Sequence, residues 1–424
     1  MTSTNLHTHA YEHFRHYLDH VYSHKGENNV YGLSVGYPTS GQFELPSEIL
    51  QHLVPFEDGH EKPRPGYGWE AGSQPVREAI LSYENQAHGT AYTLKNICIV
   101  AGATYGLSRV LEYLFTDPKL KSSRDELLVI SPTFYRMLGR AESYARVVSV
   151  EAKESNDFQI TIEEVLQTLT PKTKAVFLLN PSNPTYLYYK NDFLKQLVDV
   201  LSKRGIYLVI DESGDAYVAD ENSNHSYHKM APALQNPYVI RIVTASKKYL
   251  LAEYRIGYVL AGEEFIGTKS HGFIKLMGDD MSNPPLAAND AWLALLEHEL
   301  STLLHKPCQN AECDFGVKFK QATEKMLRLR NQTVAALKDM KHIRRIITPD
   351  ANYNLIFAFE TQKLYTDIDV FNQMLNEYDL ALVPGSGFGI DEKLLYFRLT
   401  FAIREKELTD GLEALKAFTE SDFL

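Results

Sequence analysis

Between residues 97 and 212 the chain alternates between two textures. Near-continuous apolar runs, "ICIVAG" (97–102), "ELLVISP" (126–132), "AVFLLNP" (175–181) and "IYLVIDE" (206–212), read as strands buried on both faces. The intervening "LSRVLEYLF" (107–115) and "FLKQLVDVLSKRG" (193–205) repeat apolar residues every three or four positions and read as amphipathic helices. Buried strands separated by helices predict an α/β fold with a mostly parallel sheet covered on both faces. In such sheets ligands bind beyond the carboxyl ends of the strands. Attention therefore falls on "AGATYG", "SPTFYR", "NPSNPT", "DESGDAY" and "TASKKY", each of which follows a strand.

After about residue 285 the pattern changes. "LAANDAWLALLEHELSTLL" and "CDFGVKFKQATEKMLRLRNQTVAALKDM" read as long helices, and "YNLIFAFE", "LALVPGSGFG" and "LLYFRLTFA" as a mixed segment after them. The expected organisation is an N-terminal arm with part of a small domain over 1–50, a large domain over 51–304, and the smaller α+β domain over 305–424. "GSGFG" lacks the GxGxxG spacing and opens no helix, so it reads as a turn rather than a dinucleotide site. Near the N-terminus His9, His13, His16, His20 and His24 form one helical stripe, and Tyr11, Phe14, Leu18, Val21 and Tyr22 form another. No nearby carboxylate or cysteine cluster completes a metal site, so the histidines are expected to line a solvated face, with no metal bound.

Composition narrows the classes. The 424 residues are 44% hydrophobic and 23% charged, ordinary for globular protein and long enough for a large domain plus a small one. A net charge of -11 with no basic patch interleaved with aromatics argues against nucleic acid as a partner. No apolar run nears the roughly 20 residues that span a bilayer, and the first 20 residues lack the basic start and apolar core of a leader. Three cysteines without a CxxC pair argue against a disulfide framework or thiolate zinc site. A cytoplasmic protein is expected.

Asn183, Asp211 and Lys247 follow three separate strands, and an amide, a carboxylate and an amine there can converge on one small molecule. Arg255 follows Lys247 by eight positions. "NPSNPT" with Asn183, "VIDE" with Asp211, "TASKKYLLAEYRIGY" with Lys247 and Arg255, and "YFRLTFA" with Arg398 occur in order. With these four elements the chain resembles, from about residue 31 to 402, the fold-type I pyridoxal-phosphate enzymes of the aminotransferase class I/II family.

The resemblance implies pyridoxal 5'-phosphate as cofactor and a free L-α-amino acid as substrate. It implies Lys247, rather than Lys248, as the amine joined to the cofactor and moving the α-proton, and Asp211 as the partner of the pyridine nitrogen. Asn183 would donate to the phenolic oxygen, its flanking prolines holding an extended turn that aims the side chain at the ring. Ala103 and Thr104 at a helix start, with Thr244 and Arg255, would cradle the phosphate, and Phe134 would stack on the ring. Arg398 would grip the substrate carboxylate beside Gly36. Tyr67 matches the tyrosine that reaches the neighbouring subunit's phosphate, which implies a homodimer with shared active sites.

Two positions depart from the family. Where a tyrosine usually follows the ring aspartate by three residues stands Gly214, and where glycine closes the NPTG turn stands Tyr186. Tyr186 or Tyr217 is a candidate to replace the missing hydroxyl. These departures keep open a relative that cyclises, γ-eliminates or oxidises an amino acid instead of transaminating it. A noncatalytic effector domain of a transcription regulator would want a basic helix-turn-helix module, and the segment before residue 31 is too short for one. Glu70, Asp215 and Glu253 lie near the site loops and are candidates for a cationic substrate side chain.

Overall fold

The computed structural model describes residues 3–23, 33–34, 68–120, 122–216, 231–285, 292, 295–296, 299–300 and 315–424. In chain order the first elements are α1 (Ser3–Ser23), α2 (Gln74–His88), β1 (Ile97–Val100), α3 (Ala103–Thr116), β2 (Glu126–Ser131) and β3 (Arg146–Glu151). Then come α4 (Ile162–Thr168), β4 (Thr173–Leu179), α5 (Asn191–Lys203), β5 (Tyr207–Asp211), β6 (Val239–Thr244), β7 (Gly257–Leu260) and α6 (Phe273–Met281). The last part holds α7 (Phe315–Lys338), β8 (Ile343–Ile347), β9 (Asn354–Phe359), α8 (Asp367–Tyr378), β10 (Val383–Pro384), β11 (Tyr396–Thr400) and α9 (Glu405–Thr419).

β1 to β7 form one sheet in the order β1-β7-β6-β5-β4-β2-β3. Every neighbouring pair is parallel except those of β7, which runs antiparallel to both β1 and β6. Alternation sends Val129, Phe177 and Val209 to the face covered by α3, with Leu107, Val110 and Leu114. Ile130, Val176, Leu178, Leu208 and Ile210 go to the other face, where the α5 stripe of Leu194, Leu197, Val198 and Leu201 covers them. Both faces are dry, which is why these strands read as unbroken apolar runs. β8 to β11 form the smaller antiparallel sheet, ordered β10-β11-β9-β8, whose core includes Phe357, Phe397 and Phe418.

The fold is the expected α/β class with a smaller second domain. Its antiparallel β7 escapes the alternation rule, because "GYVL" is buried at all four positions and looks the same in either direction. "GSGFG" is a short 3-10 turn, Gly385–Phe388, ended by Gly389. Helix α1 packs its apolar face, Phe14 and Tyr17, into the core of the small sheet. No described helix is long and apolar enough to cross a membrane.

Candidate active site

The sheet topology gathers the sequence-predicted residues on one edge. Asp211 ends β5, in register between Leu179 of β4 and Ile242 of β6. Ala103 and Thr104 follow β1, Phe134 follows β2, Asn183 follows β4 and Lys247 follows β6. Arg255 precedes its strand instead, and it reaches the same edge because β7 is antiparallel: Gly257, at the start of β7, pairs with both Val100 and Thr244. Tyr67, Gly36 and Tyr217 lie outside the described residues.

Asp211 has zero exposure, and its backbone carbonyl accepts from the Asn180 amide at 2.9 Å. Its Oδ1 accepts from the Ser213 amide at 2.8 Å, while Oδ2 has no partner among the described residues. Burial pushes this carboxyl up to about 6, against the pull of the Ser213 bond and the Lys247 charge. Burial brings the Lys247 amine down to about 8, helped by the positive charges of Arg398 and Arg255 and opposed by Asp211. The amine lies 6.0 Å from the centre of the Tyr353 ring, a neighbour that sequence reasoning missed. Lys248 is different: it pairs with Glu299 at 2.9 Å, and that carboxylate holds its amine firmly charged despite burial. Of the two adjacent lysines only Lys247 is poised to become a neutral amine near physiological pH.

Helix α3 starts at Gly102, whose φ of 79° suits glycine and which offers no side-chain cap. A Cβ there would meet Nη2 of Arg255 at 2.3 Å, so the guanidinium lies directly against the helix start. Arg255 donates to the carbonyls of Ala252 (2.7 Å) and Ala101 (3.3 Å). An arginine at the positive end of a helix dipole is an unfavourable pairing until an anion sits between them. The Thr244 side chain is engaged within the protein. Its hydroxyl donates inward to the Ile256 carbonyl at 2.7 Å and shares a 2.8 Å contact with the Ser246 hydroxyl, so it shapes the loop rather than facing an anion. Ser246, the hydroxyl that Thr244 contacts, has as its only sequence signal its place directly before Lys247.

Arg398 sits on β11 opposite Ile356, buried, with its guanidinium carbon 5.1 Å from the Phe388 ring centre. It donates to Asn183 Oδ1 and the Ser34 carbonyl at 3.4 Å each, and Nε has no partner among the described residues. Beyond these two long bonds and one to the Tyr186 hydroxyl, the unpartnered Nε leaves the fork able to take a further acceptor. With its oxygen turned to Arg398, Asn183 offers its amide nitrogen elsewhere. Tyr186 is buried at φ 54°, and its hydroxyl takes the Arg398 and Asn354 side chains as partners. The hydroxyl that departs from the family pattern thus serves the arginine. At Gly214 an added Cβ would come within 3.1 Å of Pro181, tighter than an ordinary contact. Phe134 is half-buried and propped edge-on by Phe14 of α1 at 5.4 Å. Of the acidic candidates, Glu70 pairs with Lys269 at 3.1 Å, Asp215 accepts from the Tyr188 hydroxyl, and Glu253 is exposed.

Residues 28–415 match the model of a family described as aminotransferase class I and II. Among curated relatives, the chain is 26% identical over 396 residues to a probable aspartate/prephenate aminotransferase of Aquifex aeolicus, covering 92% of this chain and 91% of that one. It is 26% identical over 400 residues to an asparagine–oxo-acid transaminase of Streptococcus mutans, covering 92% of each. Among solved structures, an aspartate aminotransferase of Thermotoga maritima superposes with a TM-score of 0.74 at 25% identity, over 92% of each chain. Fold and relatives together define a fold-type I, pyridoxal-phosphate-dependent transferase. The chain belongs to the aminotransferase class I and II family. These relatives favour amino transfer over cyclisation, elimination or oxidation. The residues present fit the cofactor: a buried carboxylate oxygen has no hydrogen-bond partner among the described residues and suits a ring N–H, and a helix start set against an arginine suits a phosphate.

Proposed function

We propose that this enzyme moves the amino group of a free L-α-amino acid to a 2-oxo acid. Lys247 holds the cofactor and moves the α-proton, and Asp211 faces the ring nitrogen. The observation that carries this reading is the unpartnered Oδ2 of Asp211, at zero exposure and coupled to an amine brought down to about 8. When bound, pyridoxal 5'-phosphate supplies an electron-poor ring that accepts the charge left at the substrate's α-carbon. Asp211 would hold a proton on the ring nitrogen, and Asn183 would donate from its amide nitrogen to the phenolic oxygen. Phe134 would flank the ring, while the Ala103 and Thr104 amides, Ser246 and Arg255 would hold the phosphate. Thr244 contributes by positioning Ser246. Arg398 takes the substrate α-carboxylate beside Gly36, and Lys247, once neutral, takes the proton at the α-carbon and returns it.

The same reading makes the protein a homodimer with shared sites, because Tyr67 matches the residue that reaches into the partner subunit. It also puts the domain limits near residues 50 and 304. A cytoplasmic location suits the composition, with Cys98 buried and unpaired. Borohydride treatment should fix the cofactor on the peptide containing Lys247. Borohydride-sensitive colour retained by Lys247→Ala would sink the assignment. Aspartate, asparagine and alanine with a 2-oxo acid acceptor form the first substrate panel, and turnover must require the acceptor.

A further inference from the structure

Outside this site, the fold brings together three groups from opposite ends of the chain. His9 and His13 stand one turn apart on α1, their ring centroids 3.9 Å apart. Glu392, in the 3-10 turn Glu392–Leu394, lies against both: its Oε2 is 3.5 Å from His9 Nε2 and 3.9 Å from His13 Nε2. One ligand atom from each residue lies within 4.8 Å of the other two. Ligand atoms around a tetrahedral zinc ion sit roughly 3.3 Å apart, given metal–ligand bonds of about 2 Å. Small side-chain rotations close the difference.

The hydrogen bonds behind His13 fix which nitrogen faces Glu392. Buried Asp367, the first residue of α8, accepts from the Ser386 amide at 2.7 Å and from the Ser386 hydroxyl at 3.0 Å. The Ser386 hydroxyl lies 2.7 Å from His13 Nδ1, and when its hydrogen goes to an ionised Asp367 the imidazole proton sits on Nδ1. His13 Nε2 then presents a lone pair toward a carboxylate oxygen. In that form the lone pair and the Glu392 carboxylate, 3.9 Å apart, can both bind a cation placed between them. A carboxylate–serine relay behind a histidine is the kind of second layer that orients metal ligands.

We propose that His9, His13 and Glu392 bind a divalent transition-metal ion, zinc or its nearest substitutes, with a fourth position open to water. Two imidazoles and one carboxylate suit zinc, cobalt and nickel rather than magnesium or calcium, which take oxygen ligands. The ion ties α1 to the small domain. The same helix carries Phe14, which packs edge-on against Phe134 at 5.4 Å and Phe388 at 6.4 Å, so the tie holds the aromatic wall beside the substrate arginine.

The test uses untagged, cofactor-loaded full-length protein freed of metal with a chelator, then titrated with Zn2+ alone or Co2+ alone. Equilibrium dialysis with elemental analysis should give one zinc per chain, and Co2+ should give the intense visible bands of a four-coordinate site. Glu392→Gln should weaken zinc binding at least about tenfold, and Ser386→Ala by about tenfold or more through the lost relay. His16→Gln/His20→Gln should bind as the parent does, and zinc should raise the melting temperature of the parent but not of Glu392→Gln. No saturable binding, undiminished binding by Glu392→Gln, or loss of binding in His16→Gln/His20→Gln instead would each overturn the proposal. Glu392 lies on a surface turn, and far-UV circular dichroism of its variant verifies that the fold is kept.

Discussion

Asp211→Asn should make the cofactor-free protein more stable while ruining it as a transferase. In the folded chain this carboxyl is pushed up to about 6 from an ordinary value of 3.8, because its burial is complete and only Oδ1 has a hydrogen bond. A raised acid binds its proton more tightly when folded, so stability falls as pH rises between the two values and the full penalty stands above pH 6. Roughly two units correspond to about 3 kcal/mol at pH 8 and about half that at pH 5. Asparagine keeps the acceptor for Ser213 and removes the charge. Its new amide donor lacks a partner and returns about 1 kcal/mol of the gain. At about 2.1 cal/mol/K per residue, a chain of this length gains about 1 °C per kcal/mol, so the melting temperature should rise by about 2 °C at pH 8 and less at pH 5.

Differential scanning calorimetry of the two cofactor-free proteins at equal concentration, at pH 5 and pH 8, measures this. Saturating pyridoxal 5'-phosphate should reverse the order, because the ring cation gives the aspartate its missing partner and gives the asparagine nothing. If the asparagine variant melts below the parent at pH 8 without cofactor, Asp211 is not an uncompensated charge, and the argument for its role fails with it.

Arg398→Lys replaces a planar fork by a point charge and should lower kcat/KM about 100-fold, mostly through KM, as steady-state kinetics over an amino-acid series would record. An unchanged KM would remove the carboxylate from this arginine. Tyr186→Phe deletes the hydroxyl beside Arg398 and should raise KM by roughly ten- to a hundredfold, the worth of one hydrogen bond to a charged group, with little change in cofactor affinity. A loss of cofactor affinity instead would put Tyr186 at the ring.

Lys247, Asp211 and Asn183 were legible because each comes at or just after a buried apolar strand, and a parallel sheet carries all such ends to one edge. Arg255 was legible only through its spacing from Lys247, since it precedes its strand and the reversal of β7 leaves no mark on four uniformly buried residues. β3 was missed in the alternation: it is an edge strand, and its polar Arg146, Ser149 and Glu151 interrupt the apolar run. The direction of the Thr244 hydroxyl was not legible, because it depends on which carbonyl lies behind it, here that of Ile256 just before the neighbouring strand.

The histidine stripe marks the limit of local reading most clearly. Its helical spacing was plain, and by itself it argued for a wet face because no carboxylate or cysteine cluster in the local sequence completed a site. Glu392 lies almost the whole chain away, carried to α1 by the small domain's closure around Phe14 and Tyr17. The apolar stripe of α1 therefore decides the chemistry of the opposite one. By burying Phe14 and Tyr17 in the small domain it turns His13 toward Ser386 and Asp367, a pair that no pattern within the helix anticipates. Weakening that apolar contact would loosen the histidine cluster and the wall at Phe134 together, since one rigid helix carries both.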